Sequence, residues 1–190
     1  MNNTLTVIEK RSSCRNFSNR SISDADLFSI SKAALQAPSA FNQQKWHISI
    51  VKNKALLDEI EAEGLMVLSS LSDKSTFERI KKRGGKMFYN AEVVSFISIM
   101  ESTDSHYKRY SLIDLGIIAQ NISLACTSLG IDNCHCGMIT FCFSTDKKEE
   151  FKKKLKIPNG YECSYGVLLG YGVTATTPHN IDESKVSFID

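Results

Sequence analysis

The stretch LIDLGIIAQNISLACTSLGIDNCHCG, residues 112–137, decides how the chain folds. Leu112, Leu115, Ala119, Ile122, Cys126 and Leu129 recur at spacings of three and four, the period of one helix face. The spacing predicts a helix over 111–129, stopped by Gly130. Ile113, Ile117, Ile118 and Leu124 make its other faces apolar as well, which predicts burial nearly all round. In a chain of 190 residues this points to a core helix that is also a subunit interface. The Cys134-His135-Cys136 run that follows invites a metal reading, yet tetrahedral sites take a second ligand pair at matched spacing. Cys142 and Cys163 do not supply one, so structural thiols are expected.

Upstream, helices are predicted over 4–10, over 24–36 behind the cap Ser23, and over 54–63, with Gly64 as a stop. Strands are expected at 47–52 and at VVSFISIM within 91–100, the latter central in the sheet. Between them lies a basic stretch, with Lys81, Lys82, Arg83 and Lys86 around Gly84-Gly85. It reads as a mobile solvated loop rather than an anion-binding lid, and no Walker pattern is present. Residues 101–107 read as a polar connection. Downstream come a strand at ITFCFS (139–144), a cationic helix over 147–156 and a buried strand at 165–171. The tail ends in VSFI, an apolar β-prone tetrad that needs a partner sheet.

Composition narrows the function classes. Hydrophobic residues make up 42% and charged residues 23%, as in an ordinary soluble domain, here spanning 1–190. A net charge of +2 gives no footprint for nucleic acid. No run approaches the roughly 20 apolar residues a membrane helix requires. With no signal-peptide pattern, the six cysteines are expected as free thiols in the cytoplasm.

Two polar stretches carry the chemistry. RSSCRNF (11–17) sets two arginines four residues apart around two serines, which suits a phosphate. APSAFNQQKW (37–46) turns at Pro38 and then offers Ser39, Asn42, Gln43 and Gln44 as donors and acceptors. Taken alone, each is as readily a solvated turn or surface loop.

Together, in order and spacing, these stretches resemble the FMN-dependent nitroreductase family over nearly the whole chain. RSSCRNF is similar to its R-x-S-x-R-x-F motif, APSAFNQQKW to A-P-S-x-x-N-x-Q-P-W, and residues 112–137 to its D-x-G-x-A-x-Q-N helix with the following C-x-x-G. The resemblance implies an α+β fold with a mostly antiparallel central sheet flanked by helices. It also implies a homodimer that exchanges its C-terminal segment. It puts Arg11, Ser12, Ser13 and Arg15 on the FMN phosphate and ribityl chain. Pro38, Ser39, Ala40 and Asn42 would lie at the flavin, with Ser39 and Ala40 reaching the partner's cofactor. Gly137 and the peptide to Met138 would lie near flavin N5, and Lys185 and Lys86 are candidates for the phosphate and ribityl end. Lys45, Met138 and an arginine-poor tail depart from the family pattern. The implied activity is ping-pong hydride transfer from NAD(P)H to a small nitroaromatic, quinone or enone acceptor, with no side-chain acid, base or nucleophile required. Two rivals remain open at this point: a flavin-binding redox sensor using Cys134 and Cys136, and a small metal protein centred on the same run.

Overall fold

The computed structural model describes residues 3–189. Helices α1 (Asn3–Lys10) and α2 (Asp24–Leu35) precede strand β1 (Trp46–Val51). Then come α3 (Lys54–Ser70), α4 (Ser75–Lys82), β2 (Val93–Met100), α5 (Ser105–Ser128) and β3 (Asp132–His135). Helix α6 (Lys148–Lys154) and strand β4 (Tyr161–Gly170) complete the main elements. The sheet runs β1-β2-β4-β3, and every pairing is antiparallel. An α+β fold with an antiparallel sheet is therefore observed.

Two cores lie on the two faces of the sheet. Val94, Phe96 and Leu168 pack with α3, α4 and α6, whereas Val93, Ile97, Val167 and Leu169 pack with α2 and α5. Central β2 must satisfy both layers, which is why VVSFISIM is an apolar run rather than an alternation. Ser23 caps α2 by accepting the Asp26 N–H at 3.1 Å, and Leu27, Ile30, Ala34 and Ala37 are buried beneath it.

Four sequence expectations change. Helix α3 runs through Gly64, where a Cβ would sit 2.6 Å from both Cys142 Sγ and Met87 Cε. Here the glycine allows close packing within the helix instead of stopping it. ITFCFS is not a strand: residues Gly137–Phe143 form a 3₁₀ turn that buries Ile139, Cys142 and Phe143 against α3. Helix α5 begins at Ser105, within the expected polar connection, because Asp104 accepts the His106 and Tyr107 N–H groups. Within one chain α5 is not covered all round. Leu115, Ile118, Ala119, Ile122 and Cys126 are buried, but Leu112 and Ile113 remain 55% and 54% exposed.

Candidate functional site

RSSCRNF forms an arch stitched to the sheet at both feet. Ser13 bridges Asn133 of β3, and the Cys14 N–H donates to the Asn133 carbonyl at 2.9 Å. Phe17 bridges Gly172, its N–H donates to the Tyr89 carbonyl at 3.2 Å, and its ring is buried together with Cys14. With these two side chains buried, the intervening Arg15 and Asn16 are exposed, while Arg11, Ser12 and Ser13 before them are half-buried. The Ser12 hydroxyl is hydrogen-bonded to that of Thr176.

Beside the arch lies a cavity of about 340 Å³, lined by Arg15, Arg79, Arg83, Tyr89 and residues 134–138. Tyr89 and Asn90 both hold left-handed backbone, at φ 52° and 60°. Buried Glu61 fixes this bend by accepting the Phe88 N–H at 2.6 Å. Gly137 is exposed at the head of the 3₁₀ turn, whose first N–H groups have no side-chain cap. Its exposure lets a flat ligand approach the Gly137–Met138 backbone.

The electrostatics of the cavity are one-sided. No carboxylate lines it. Among the described residues, Arg11, Arg15, Arg79 and Arg83 make no ion pair. The Nε2 of His135 shares a 2.7 Å hydrogen bond with the Ser123 hydroxyl, and the ring meets Tyr165 edge-on at 5.7 Å. Burial, helped by the Arg11 charge, holds this imidazole below its usual range. Burial also raises the Cys134 thiol, with Arg15 and Arg11 opposing, and pushes Cys136 up to about 12. Among the described residues, no group of three His, Cys, Asp or Glu side chains is arranged to hold a metal ion.

The expected site residues divide into three sets. Arg15, Gly137 and Met138 line the cavity, and Arg11, Ser12 and Ser13 stand on the adjoining arch. Pro38, Ser39, Ala40 and Asn42 do not line it; they form a loop anchored to α5, where the Ala40 N–H donates to Asp114 Oδ1 at 3.1 Å. Lys86 and Lys185 do not line it either. Lys86 pairs with Glu61 at 3.2 Å and Asp58 at 3.3 Å, while Lys185 lies in an exposed turn 3.6 Å from Asp182. Sequence reasoning missed Arg79, Tyr89 and the inward role of Arg83. Arginines at i and i+4 share one helical face, but that spacing does not tell which face meets a cavity. Lys45, the unexplained residue of the 37–46 loop, places its ammonium 5.2 Å from the Tyr107 ring centroid.

Fold and site together define an α+β protein with an arginine-walled polar cavity at the end of β3. The model of the Nitroreductase family matches residues 8–171, and the chain belongs to that family. A crystal structure of a nitroreductase with bound FMN from Desulfitobacterium hafniense DCB-2 is 44% identical. It superposes with a TM-score of 0.94 over 100% of both chains. An FMN-dependent nitroreductase from Clostridium difficile R20291 is 26% identical, with a TM-score of 0.79 over 99% of each chain. A relative from Archaeoglobus fulgidus, provisionally named an NADH dehydrogenase/NAD(P)H nitroreductase, is 30% identical over 175 residues, 90% of this chain and 86% of its own. No helix among the described residues is long and apolar enough to cross a membrane.

Proposed function

We propose that this chain is an FMN-dependent oxidoreductase that takes a hydride from NAD(P)H and passes it to a small organic acceptor in a ping-pong cycle. The observation that carries this reading is the cavity in which Arg15 and the exposed Gly137–Met138 backbone meet, in a chain so close to an FMN-bound relative. The donor set fits the cofactor. A phosphomonoester of charge about −1.5 to −2 needs cations without ion-pair partners and hydroxyl donors; Arg11 and Arg15 offer the first and Ser12 and Ser13 the second on one arch, the Ser12 hydroxyl exchanging its bond to Thr176.

When bound, FMN supplies the two-electron relay. The protein's part is to hold and orient it. Arg11 and Arg15 grip the phosphate and ribityl end with Ser12 and Ser13, and the stitches to Asn133 and Gly172 keep that grip aligned with Gly137. Gly137, exposed and without a side chain, would leave room beside a bound flavin for a second small molecule.

The site is completed by a second copy of the chain. Strand β1 is an open sheet edge, and the tail beyond Thr176 is exposed, with Phe188 and Ile189 at 93%. Exchange of this segment covers both surfaces. In such a dimer Lys185 would help to hold the phosphate of the second copy's FMN, and Pro38, Ser39, Ala40 and Asn42 would help to hold its flavin. All six cysteines are free, as a reducing cytoplasm keeps them, and their burial speaks against a thiol-based sensor.

The test is the colour of the purified protein. Yellow protein that NAD(P)H bleaches and a nitroaromatic or quinone restores is expected. A colourless protein that takes up no FMN would overturn the reading.

A further inference from the structure

Helix α4 carries more positive charge to the cavity than a bound FMN would use. Arg79 and Arg83 stand one turn apart and line the same 340 Å³ space as Arg15 and Met138. Both are exposed, so they form the outer rim, whereas buried Cys136 belongs to the floor. The opposite side of α4 packs elsewhere: Phe77, Ile80 and Lys81 line a separate apolar pocket against α3. Nearby acids do not neutralise the rim. Glu61 and Asp58 are taken by Lys86, and Glu78 on α4 itself pairs with none of its cations. Asp132 accepts the Gly172 N–H on the far side of the arch. The phosphate already has Arg11, Arg15 and two serines. Two guanidinium forks are left over, aimed into a carboxylate-free cavity.

We infer that Arg79 and Arg83 form an anion-recognition rim that selects electron acceptors bearing a carboxylate or similar anionic group. This rests on the flavin reading above and names the substrate class of that site. A guanidinium fork matches a planar carboxylate with two parallel hydrogen bonds, which a neutral amide of the same shape cannot reproduce. The rim binds and orients the acceptor and takes no part in electron transfer. NAD(P)H supplies the electron pair and is oxidised to NAD(P)+; with two protons, one from the reductant and one from solvent, the nitro group becomes a nitroso group and its lost oxygen leaves as water.

The experiment compares 4-nitrobenzoate with 4-nitrobenzamide on the FMN-loaded protein. Wild type should favour the carboxylate in kcat/KM by roughly 10- to 100-fold, the range of one charged hydrogen-bond set. In Arg79→Gln/Arg83→Gln that ratio should fall to near one with FMN content retained, whereas in Lys82→Ala it should stand. A readout without turnover uses 4-hydroxybenzoate and 4-hydroxybenzamide, whose binding to the oxidised protein perturbs the flavin absorbance. The preference for the anion should again vanish in the double variant. Equal kcat/KM for the two nitro compounds in a yellow wild type overturns the rim but leaves the flavin reading intact. Loss of FMN from the double variant also overturns it, since the arginines would then be cofactor ligands. A wild type that binds no FMN removes the foundation of both.

Discussion

The arch at 11–17 and the loop at 37–46 carry the same kind of side chain yet are held in opposite ways. The arch is pinned by two bridges and two buried side chains to its own sheet, and its Arg15 lines the cavity beside it. The loop is held mainly by itself and by α5. Ser39 Oγ accepts the Gln44 N–H at 3.0 Å, and the Gln44 side chain donates to Asn42 at 2.9 Å. Phe41, Asn42 and Gln44 all sit in the left-handed region, at φ 55°, 52° and 49°. Phe41 is 76% exposed, and its ring meets that of Tyr110 edge-on with centroids 6.0 Å apart. Strain held without burial is what a surface shaped for something outside the chain looks like. One motif faces the chain's own cavity and the other faces outward, as the proposed homodimer requires.

Removing what the outward loop is built for is the strongest way to break this contrast. Deleting residues 177–190 should convert dimers to monomers by light scattering while far-ultraviolet dichroism is preserved. A dimer that persists would place the interface elsewhere. Phe17→Ala strikes the inward motif and should lower unfolding stability by about 3–5 kcal/mol in urea titration, as for other buried aromatics. A loss under about 1 kcal/mol would mean that the arch is not pinned by its ring. Arg11→Ala and Arg15→Ala should each weaken FMN binding by about 1.5–3 kcal/mol with little change in the midpoint of unfolding of the apoprotein. Variants that stay fully yellow on dilution would remove these residues from the cofactor. The smallest effect sharpens the comparison: Gln44→Gly relieves a left-handed residue and should change monomer stability by less than about 1 kcal/mol. Its readout is the dimer dissociation constant, which should rise as the loop loses its fixed shape.

Much of this was legible in the sequence where local rules decide. Ser23 marks the start of α2, VVSFISIM is central, and the arch residues were singled out by their spacing and given a role only through the family resemblance. Misreadings arose where tertiary contact overrides a local rule. Gly64 looked like a stop, but the packing of Cys142 and Met87 turns it into a gap in the α3 surface. ITFCFS has strand propensity, but Ile139, Cys142 and Phe143 are drawn into the core against α3, and this packing holds the segment as a 3₁₀ turn. Arg79 was invisible among surface cations, since which face of α4 meets a cavity depends on how α3 and the bend at Tyr89 place it. Lys86 looked available until Glu61 claimed it.

The burial of the thiols has a consequence for the chemical durability of this protein. Cys134 and Cys136 border a cavity proposed to handle electron pairs, where dioxygen can intercept reducing equivalents and leave peroxide behind. Peroxide attacks thiolates, not thiols. With Cys136 held up to about 12 and Cys134 shifted the same way, almost no thiolate exists there at neutral pH. The lining is thereby less open to oxidation: its sulfur atoms pack as small, buried apolar groups.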